Sequence, residues 1–225
     1  MVCWKLANTH KKGILAAIIT YYTSGGMLHP DGNYPEWAIR EGPMLVKYSG
    51  KDINVEIPDG VLEVGEEAFF KNKFVEEVTV PESTYAIGIN AFCGCTNLKR
   101  ILFKGTIHFW GDYIITKKQN VELVFLKNSI DSVVSVYQEK ALVGFLYAVE
   151  NGLPVEDTVR GENLEWIKRR RKKLYPVAFE NPVLLGLILD NKLIPRKELD
   201  DVISQATELG HTAVVAQLLS YSQQK

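Results

Sequence analysis

The sequence repeats itself with a period of 23 residues, and this repeat constrains the fold more than any other feature. Aligned on Pro58 and Pro81, the segment VEIPDGVLEVGEEAFFKNKFVEE lies over VTVPESTYAIGINAFCGCTNLKR. A weaker third copy follows at the same spacing. Short periods of this kind are typical of solenoids, in which each coil buries its apolar face only against its neighbours. The chain is therefore predicted to contain a stacked array of coils.

Four segments with alternating apolar residues predict the strands of this array: Val55-x-Ile57, Val78-x-Val80, Ile101-x-Phe103 and Val124-x-Leu126. Alternation buries one face of a strand and exposes the other. The exposed face then carries two columns of side chains, which are Asn54, Glu77, Arg100, Leu123 and Glu56, Thr79, Leu102, Phe125. Exposed apolar residues on a strand face indicate a cover. We therefore expect the C-terminal third of the chain to dock over Leu102, Leu123 and Phe125.

Glycines recur at one position of the repeat, at Gly65 and Gly88, where we expect a tight corner with positive φ. The segments IPDGVLEVGEEAF and VPESTYAIGINAFCGCTNLKRI resemble the BspA-like leucine-rich repeats of bacterial proteins, over about residues 36–128. Three departures from that pattern are visible: Asn72 stands where Cys95 fits it, Thr84 replaces an apolar residue, and Ile114-Ile115 replaces an Ala-Phe pair. The resemblance implies a solenoid of about three coils.

From about Val133 the apolar spacing becomes that of helices. One helix is predicted in ALVGFLYAVENG, and two helical hairpins are predicted in LYPVAFENPVLLGLILDNKLI and LDDVISQATELGHTAVVAQLLSY. The hairpins resemble ankyrin repeats, although the T-P-L-H signature is absent. Residues 4–23 are predicted to form a helix that packs as a cap.

The predicted fold class is α+β, a short leucine-rich-repeat β-solenoid followed by an α-helical, ankyrin-like hairpin stack. Its parts are an N-terminal helix and loop (residues 1–35), BspA-like repeats (residues 36–128) and a helical domain (residues 129–225).

The net charge of −1 conceals two charged regions of opposite sign. Residues 52–82 hold nine acidic residues against Lys71 and Lys73, a net charge of −7, whereas Lys168–Lys173 reads KRRRKK. Six consecutive positions go all round a helix. Because the flanking Ile167 and Leu174 favour the core, the stem of Arg170 or Arg171 is expected to pack beside it. The basic run is either a charged structural helix or a patch that binds anions or a partner.

No sequence motif for catalysis, phosphate binding or metal binding is present, so neither an enzyme nor a cofactor is predicted. Cys95 fits a buried repeat position, and the odd count of 3 cysteines favours a reducing compartment. A cytoplasmic location is therefore predicted, although a surface or secreted chain whose leader had been removed would read the same. The apolar run Ile14–Ile19 is far shorter than the roughly 18 residues that indicate a membrane span.

The predicted function is a non-enzymatic protein-interaction or scaffold module. The alternative is nucleic-acid or anionic-surface binding through the basic run. The candidate partner-binding residues are Lys168, Arg169, Arg170, Arg171, Lys172, Lys173, Glu56, Glu77, Thr79 and Arg100.

Overall fold

The computed structural model describes residues 17–22, for which it gives the backbone alone, and residues 42–223. The chain divides into two compact units. The first runs to Asn128 and includes Ser132–Phe145, and the second comprises Ser129–Asp131 and Leu146–Lys225. The first unit is a β-solenoid and the second is helical, as the sequence predicts.

Two sheets form the first unit. The five-stranded sheet has the order β1-β2-β4-β6-β8, with strands Ala17–Tyr22, Gly42–Tyr48, Glu63–Val64, Ala86–Ile87 and Phe109–Trp110. The four-stranded sheet has the order β3-β5-β7-β9, with strands Asn54–Glu56, Glu77–Val80, Arg100–Phe103 and Glu122–Phe125. All neighbouring pairs are parallel except β1 and β2. The described solenoid therefore has about four turns, not three.

The last strand is paired one residue out of the predicted register. Ile101 lies beside Leu123, and Phe103 lies beside Phe125. Leu123 and Phe125 are therefore buried core residues, whereas the prediction placed them on the outer face. The physical reason is that the run from Leu123 to Leu126 is entirely apolar, so alternation alone cannot choose between two registers.

Stacked aromatic rings fill the interior of the solenoid. Phe69 lies between Tyr48 and Phe92, with 5.0 Å between ring centroids on each side. A second stack pairs Phe103 with Phe125 at 4.7 Å. Phe69, Phe92 and Phe103 are fully buried. Offset ring stacks of this kind add about 1 kcal/mol each to the burial of apolar area.

The repeated glycines allow close contact between coils. A Cβ on Gly88 would lie 2.4 Å from the carbonyl carbon of Gly65 in the preceding coil. The prediction of positive φ at Gly65 and Gly88 is wrong, because the left-handed residues come two positions later, at Glu67 and Asn90.

Polar residues that depart from the repeat pattern bond to the coil beside them. Asn72 donates from Nδ2 to the Gly50 carbonyl and accepts at Oδ1 from the Phe74 and Val75 amides. The fully buried Thr84 donates from Oγ1 to the Val61 carbonyl at 2.7 Å. Since their hydrogen bonds are satisfied, these polar residues are tolerated at core positions.

The helix predicted over residues 4–23 is replaced by a strand at Ala17–Tyr22, which pairs antiparallel with β2. This stretch reads AIITYY and is rich in β-branched and aromatic residues, which favour strands. The remainder of the predicted helix lies outside the described residues.

Five helices follow within the described residues: α1 (Gln138–Glu150), α2 (Asp157–Glu180), α3 (Pro182–Asp190), α4 (Arg196–Glu208) and α5 (Thr212–Gln223). The division between the units falls inside α1. Its first half lies against the last strand of the solenoid, because a Cβ on Gly144 would be 2.0 Å from the Leu123 carbonyl oxygen. Lys140 also donates from Nζ to the Gln119 carbonyl. These contacts cover the C-terminal end of the solenoid.

In the second unit, α2 contacts α3 and α4, and α4 contacts α5. Asn181 begins α3 by accepting a hydrogen bond at Oδ1 from the Leu184 amide, at 2.9 Å. The α1, α3 and α4 helices each end at a left-handed residue, which are Gly152, Lys192 and Gly210 in turn. The backbone amide of the residue after each of them donates a hydrogen bond to a carbonyl oxygen in the last turn of the helix. The three helices therefore share the same kind of C-terminal cap.

The substitution Gly144→Ala is expected to destabilise the first unit, because the added methyl group collides with the backbone of β9. Gly161→Ala is the matched control: it lies in helix α2 with nothing within 4 Å of an added Cβ. The control should be stabilising by up to about 1 kcal/mol, since alanine favours a helix. Urea unfolding measures both variants. Equal stabilisation by the two substitutions would show that α1 does not lie against β9.

Glu63 is a buried carboxyl group in β4, and its Oε1 atom has no hydrogen-bond partner. Burial raises its pKa to about 7. Stability contributed by the neutral carboxyl is present in full below the unfolded-state pKa of about 4.5 and is lost as the pH rises through about 7. Between pH 4 and pH 8 the loss is on the order of 3 kcal/mol.

The variant Glu63→Gln should remove this pH dependence, because the amide stays neutral. Glu66→Gln, at an exposed position of the same coil, should leave it unchanged. The free energy of unfolding, measured in urea at pH 5 and at pH 8, compares the two variants with the parent chain. An unchanged slope in Glu63→Gln would contradict the assignment.

Candidate interaction surfaces

The outer face of the four-stranded sheet carries two parallel columns of side chains. The first column holds Asn54, Glu77, Arg100 and Glu122 in one register. Arg100 lies between two carboxylates: Nη1 is 2.6 Å from Glu77 Oε1, and Nη2 is 2.7 Å from Glu122 Oε2. The guanidinium therefore ties three adjacent strands together across the face.

The second column holds Glu56, Thr79, Leu102 and Val124. Exposure falls along it, from the exposed Glu56 through the half-buried Thr79 and Leu102 to the fully buried Val124. The structure thus brings four predicted site residues, Glu56, Glu77, Thr79 and Arg100, onto one face. The column becomes apolar towards the C-terminal end of the solenoid.

At both margins of this sheet acidic side chains are matched by basic ones, whereas on its outer face they are not. At the margin where the strands begin, Lys99 pairs with Glu76 at 2.7 Å. At the margin where they end, Lys127 pairs with Glu82. On the face, three carboxylates (Glu56, Glu77 and Glu122) stand against Arg100, which leaves a net charge of −2. The outer face is therefore acidic.

The six basic residues Lys168–Lys173 lie in the middle of α2, and most of their charged groups are occupied. Arg171 forms two hydrogen bonds with Glu198 of α4, at 3.0 Å from Nε and 2.8 Å from Nη2. Tyr175 donates from its hydroxyl to the same carboxylate at 3.2 Å. Glu198 is buried, so this cluster fixes α2 against α4.

Four other members of the run have partners within the second unit. Lys168 pairs with Glu165 at 2.8 Å, and Arg169 pairs with Asp131 at 2.7 Å. The guanidinium of Arg170 lies 4.3 Å from the ring centroid of the buried Trp166, in cation–π geometry. Lys172 and Lys173 are the exposed end of the run, and the Nζ atom of Lys172 lies 3.8 Å from Glu198 Oε1. The stems of Arg170 and Arg171 are half-buried beside the core residue Ile167.

Cys95 is buried and donates from Sγ to the Phe69 carbonyl oxygen at 3.0 Å. Burial raises the pKa of its thiol to about 11, so the thiolate form is scarce near neutral pH. Among residues 17–22 and 42–223, no group of three or more His, Cys, Asp or Glu side chains could hold a metal ion.

The repeat region matches a known family. Residues 47–139 match the model of the BspA type leucine rich repeat region, in six copies. The resemblance stated for the repeats is confirmed over this range. No curated protein matches the chain.

A leucine rich cell surface protein from Faecalibacterium prausnitzii A2-165 is similar among solved structures, with 22% sequence identity and a TM-score of 0.32. The match covers 48% of this chain and 33% of that one, so this chain spans about a third of its solved relative.

In the part of the chain that the structure describes, no helix is both long enough and apolar enough to cross a membrane. The longest, α2, carries the basic run in its middle.

Two residues that complete these surfaces are absent from the sequence-based predictions. Glu122 pairs with Arg100, but the predicted register of β9 placed Leu123 there instead. Glu198 forms an ion pair with Arg171. In the sequence Glu198 is visible only as an acidic residue in the first turn of a helix. Such a residue also favours the helix dipole, so its partner could not be inferred.

The carboxylate of Glu198 links α2 to α4, and its hydrogen bonds with Arg171 lower its pKa. The stability it contributes is present above the unfolded-state pKa of about 4.5 and is lost as the pH falls below that value. We expect Glu198→Ala to destabilise the second unit by about 2 kcal/mol at neutral pH, because charged hydrogen bonds are lost.

Glu165→Ala removes an exposed pair with Lys168 and should cost less than about 0.5 kcal/mol. Urea unfolding followed by the fluorescence of Trp166 would report both variants. If Glu165→Ala proved as costly as Glu198→Ala, the cluster would not be what fixes α4 to α2.

Proposed function

We propose that this chain is a non-enzymatic protein-binding module whose contact surface is the outer face of the four-stranded sheet. The observation that carries the proposal is the arrangement of Glu56, Thr79 and Leu102, three accessible side chains in one register on three successive strands. Repeat arrays present extended faces of this kind to their partners. The match to BspA type leucine rich repeats supports the same interpretation.

The chemistry of the described residues supports binding rather than catalysis. Cys95 has a raised thiol pKa and a backbone hydrogen bond, which make it a poor nucleophile. Glu63, whose pKa is raised by burial, belongs to no group of three or more His, Cys, Asp or Glu side chains among the described residues that could hold a metal ion. A catalytic site needs several such groups in one pocket.

Nucleic-acid or anionic-surface binding through Lys168–Lys173 is the weaker alternative. The guanidiniums of Arg169 and Arg171 are already bonded to Asp131 and Glu198, and that of Arg170 lies over Trp166. Phosphate groups would have to displace these partners. Neutralising the basic run should therefore loosen the second unit rather than abolish a salt-dependent affinity.

The helical unit is proposed to be an ankyrin-like stack of hairpins. Two observations support this: a single residue, Asn181, joins α2 to α3, and equivalent core positions are buried in α3 (Leu184 and Ile188) and α5 (Val214 and Leu218).

A photo-activated cross-linking amino acid at Thr79 should capture a protein in the cells that make this chain. The matched control carries the same group at Glu66, which is exposed in the same array but outside the four-stranded sheet. The adduct should be present with the first variant, absent with the second, and resistant to nuclease. Equal adducts at both positions, or an adduct that nuclease removes, would contradict the proposed function.

A further inference from the structure

We infer that the outer face accepts an extended segment of a partner protein in which a basic residue is followed, three positions later, by an apolar residue. This inference rests on the proposed function and specifies its partner. Three features of the face carry it: the charge at its first strand, the apolar surface two strands further on, and the distance between them.

The charge comes from Glu56. Its side chain is exposed on β3, and no ion pair to it is found among the described residues. Glu77, on the next strand, shares Arg100 with Glu122, so two of the three carboxylates are paired with one cation and Glu56 is paired with none that the structure describes. A lysine or arginine placed over Glu56 would reduce this imbalance, whereas an acidic segment would meet repulsion.

The apolar contact comes from Leu102. It lies in the register of Glu56 and Thr79 and remains half-buried, while Val124 beyond it is fully buried. The column is therefore accessible from Glu56 as far as Leu102. An apolar side chain of the partner would remove the rest of the Leu102 surface from water, and Thr79 between them offers a hydroxyl group.

The distance sets the spacing of the partner residues. Adjacent strands lie about 4.8 Å apart, so Glu56 and Leu102, two strands apart, are separated by roughly 9.6 Å. A polyproline II segment rises about 3.1 Å per residue with three residues per turn, so its residues i and i+3 lie about 9.3 Å apart on one side. A regular β-strand would instead point residues i and i+3 to opposite sides.

A random peptide library displayed on phage tests this inference with the full chain as bait. Parallel selections use the parent chain, Glu56→Lys, Leu102→Gln and the control Glu66→Lys. Thermal unfolding verifies the fold of each variant, and Thr79→Arg replaces Leu102→Gln should that variant unfold. We expect peptides with a basic residue three positions before an apolar one, bound at least about tenfold more weakly by the two face variants than by the control.

The outcomes separate this inference from the proposed function. Peptides that depend on the face but lack the basic residue, or that have another spacing, would overturn the inferred partner and leave the face as a binding surface. Peptides whose binding is insensitive to Glu56→Lys and Leu102→Gln, or the absence of any enriched peptide, would overturn the inference. Cross-linking at Thr79 then decides separately whether the proposed function survives.

Discussion

Backbone contact between successive coils is the constraint on which the rest of the structure depends. At the glycine corner there is no room for a side chain between Gly65 and Gly88, so each coil has to repeat the path of its neighbour. The repetition aligns Phe69 with Phe92 inside and aligns Glu56 with Thr79 and Leu102 outside. The same stacking that builds the core therefore also builds the face proposed to bind a partner.

Charge has different roles in the two units. On the solenoid, acidic side chains outnumber their partners on an accessible face, which leaves a net charge available to a partner protein. On α2, the basic run is bonded within its own unit, and Arg171 in particular holds a buried carboxylate. A run of like charges in a sequence thus identifies a binding surface only when its charged groups remain free, and the guanidiniums of Arg169, Arg170 and Arg171 are held within their own unit.

The 23-residue period predicted the first three strands of the four-stranded sheet and their core residues. A polar residue separates the apolar pair in Val55-x-Ile57 and in Val78-x-Val80, and the same spacing extends to Ile101-x-Phe103. It failed at the fourth strand, where Leu123, Val124 and Phe125 are all apolar and a step of 22 residues shifted the register. It also could not reveal that Glu122 completes the Arg100 pairs, since that contact depends on the register. At Ala17–Tyr22 strand propensity and pairing with β2 outweighed the helical spacing of apolar residues.

Hydrogen exchange of the chain, free and in complex with the protein cross-linked at Thr79, tests the central claim most directly. The account predicts slower exchange on complex formation in Asn54–Glu56, Glu77–Val80 and Arg100–Phe103, with Asp157–Glu180 unchanged. Protection confined to Asp157–Glu180, with the strands unaffected, would contradict it and would assign the contact to the basic helix.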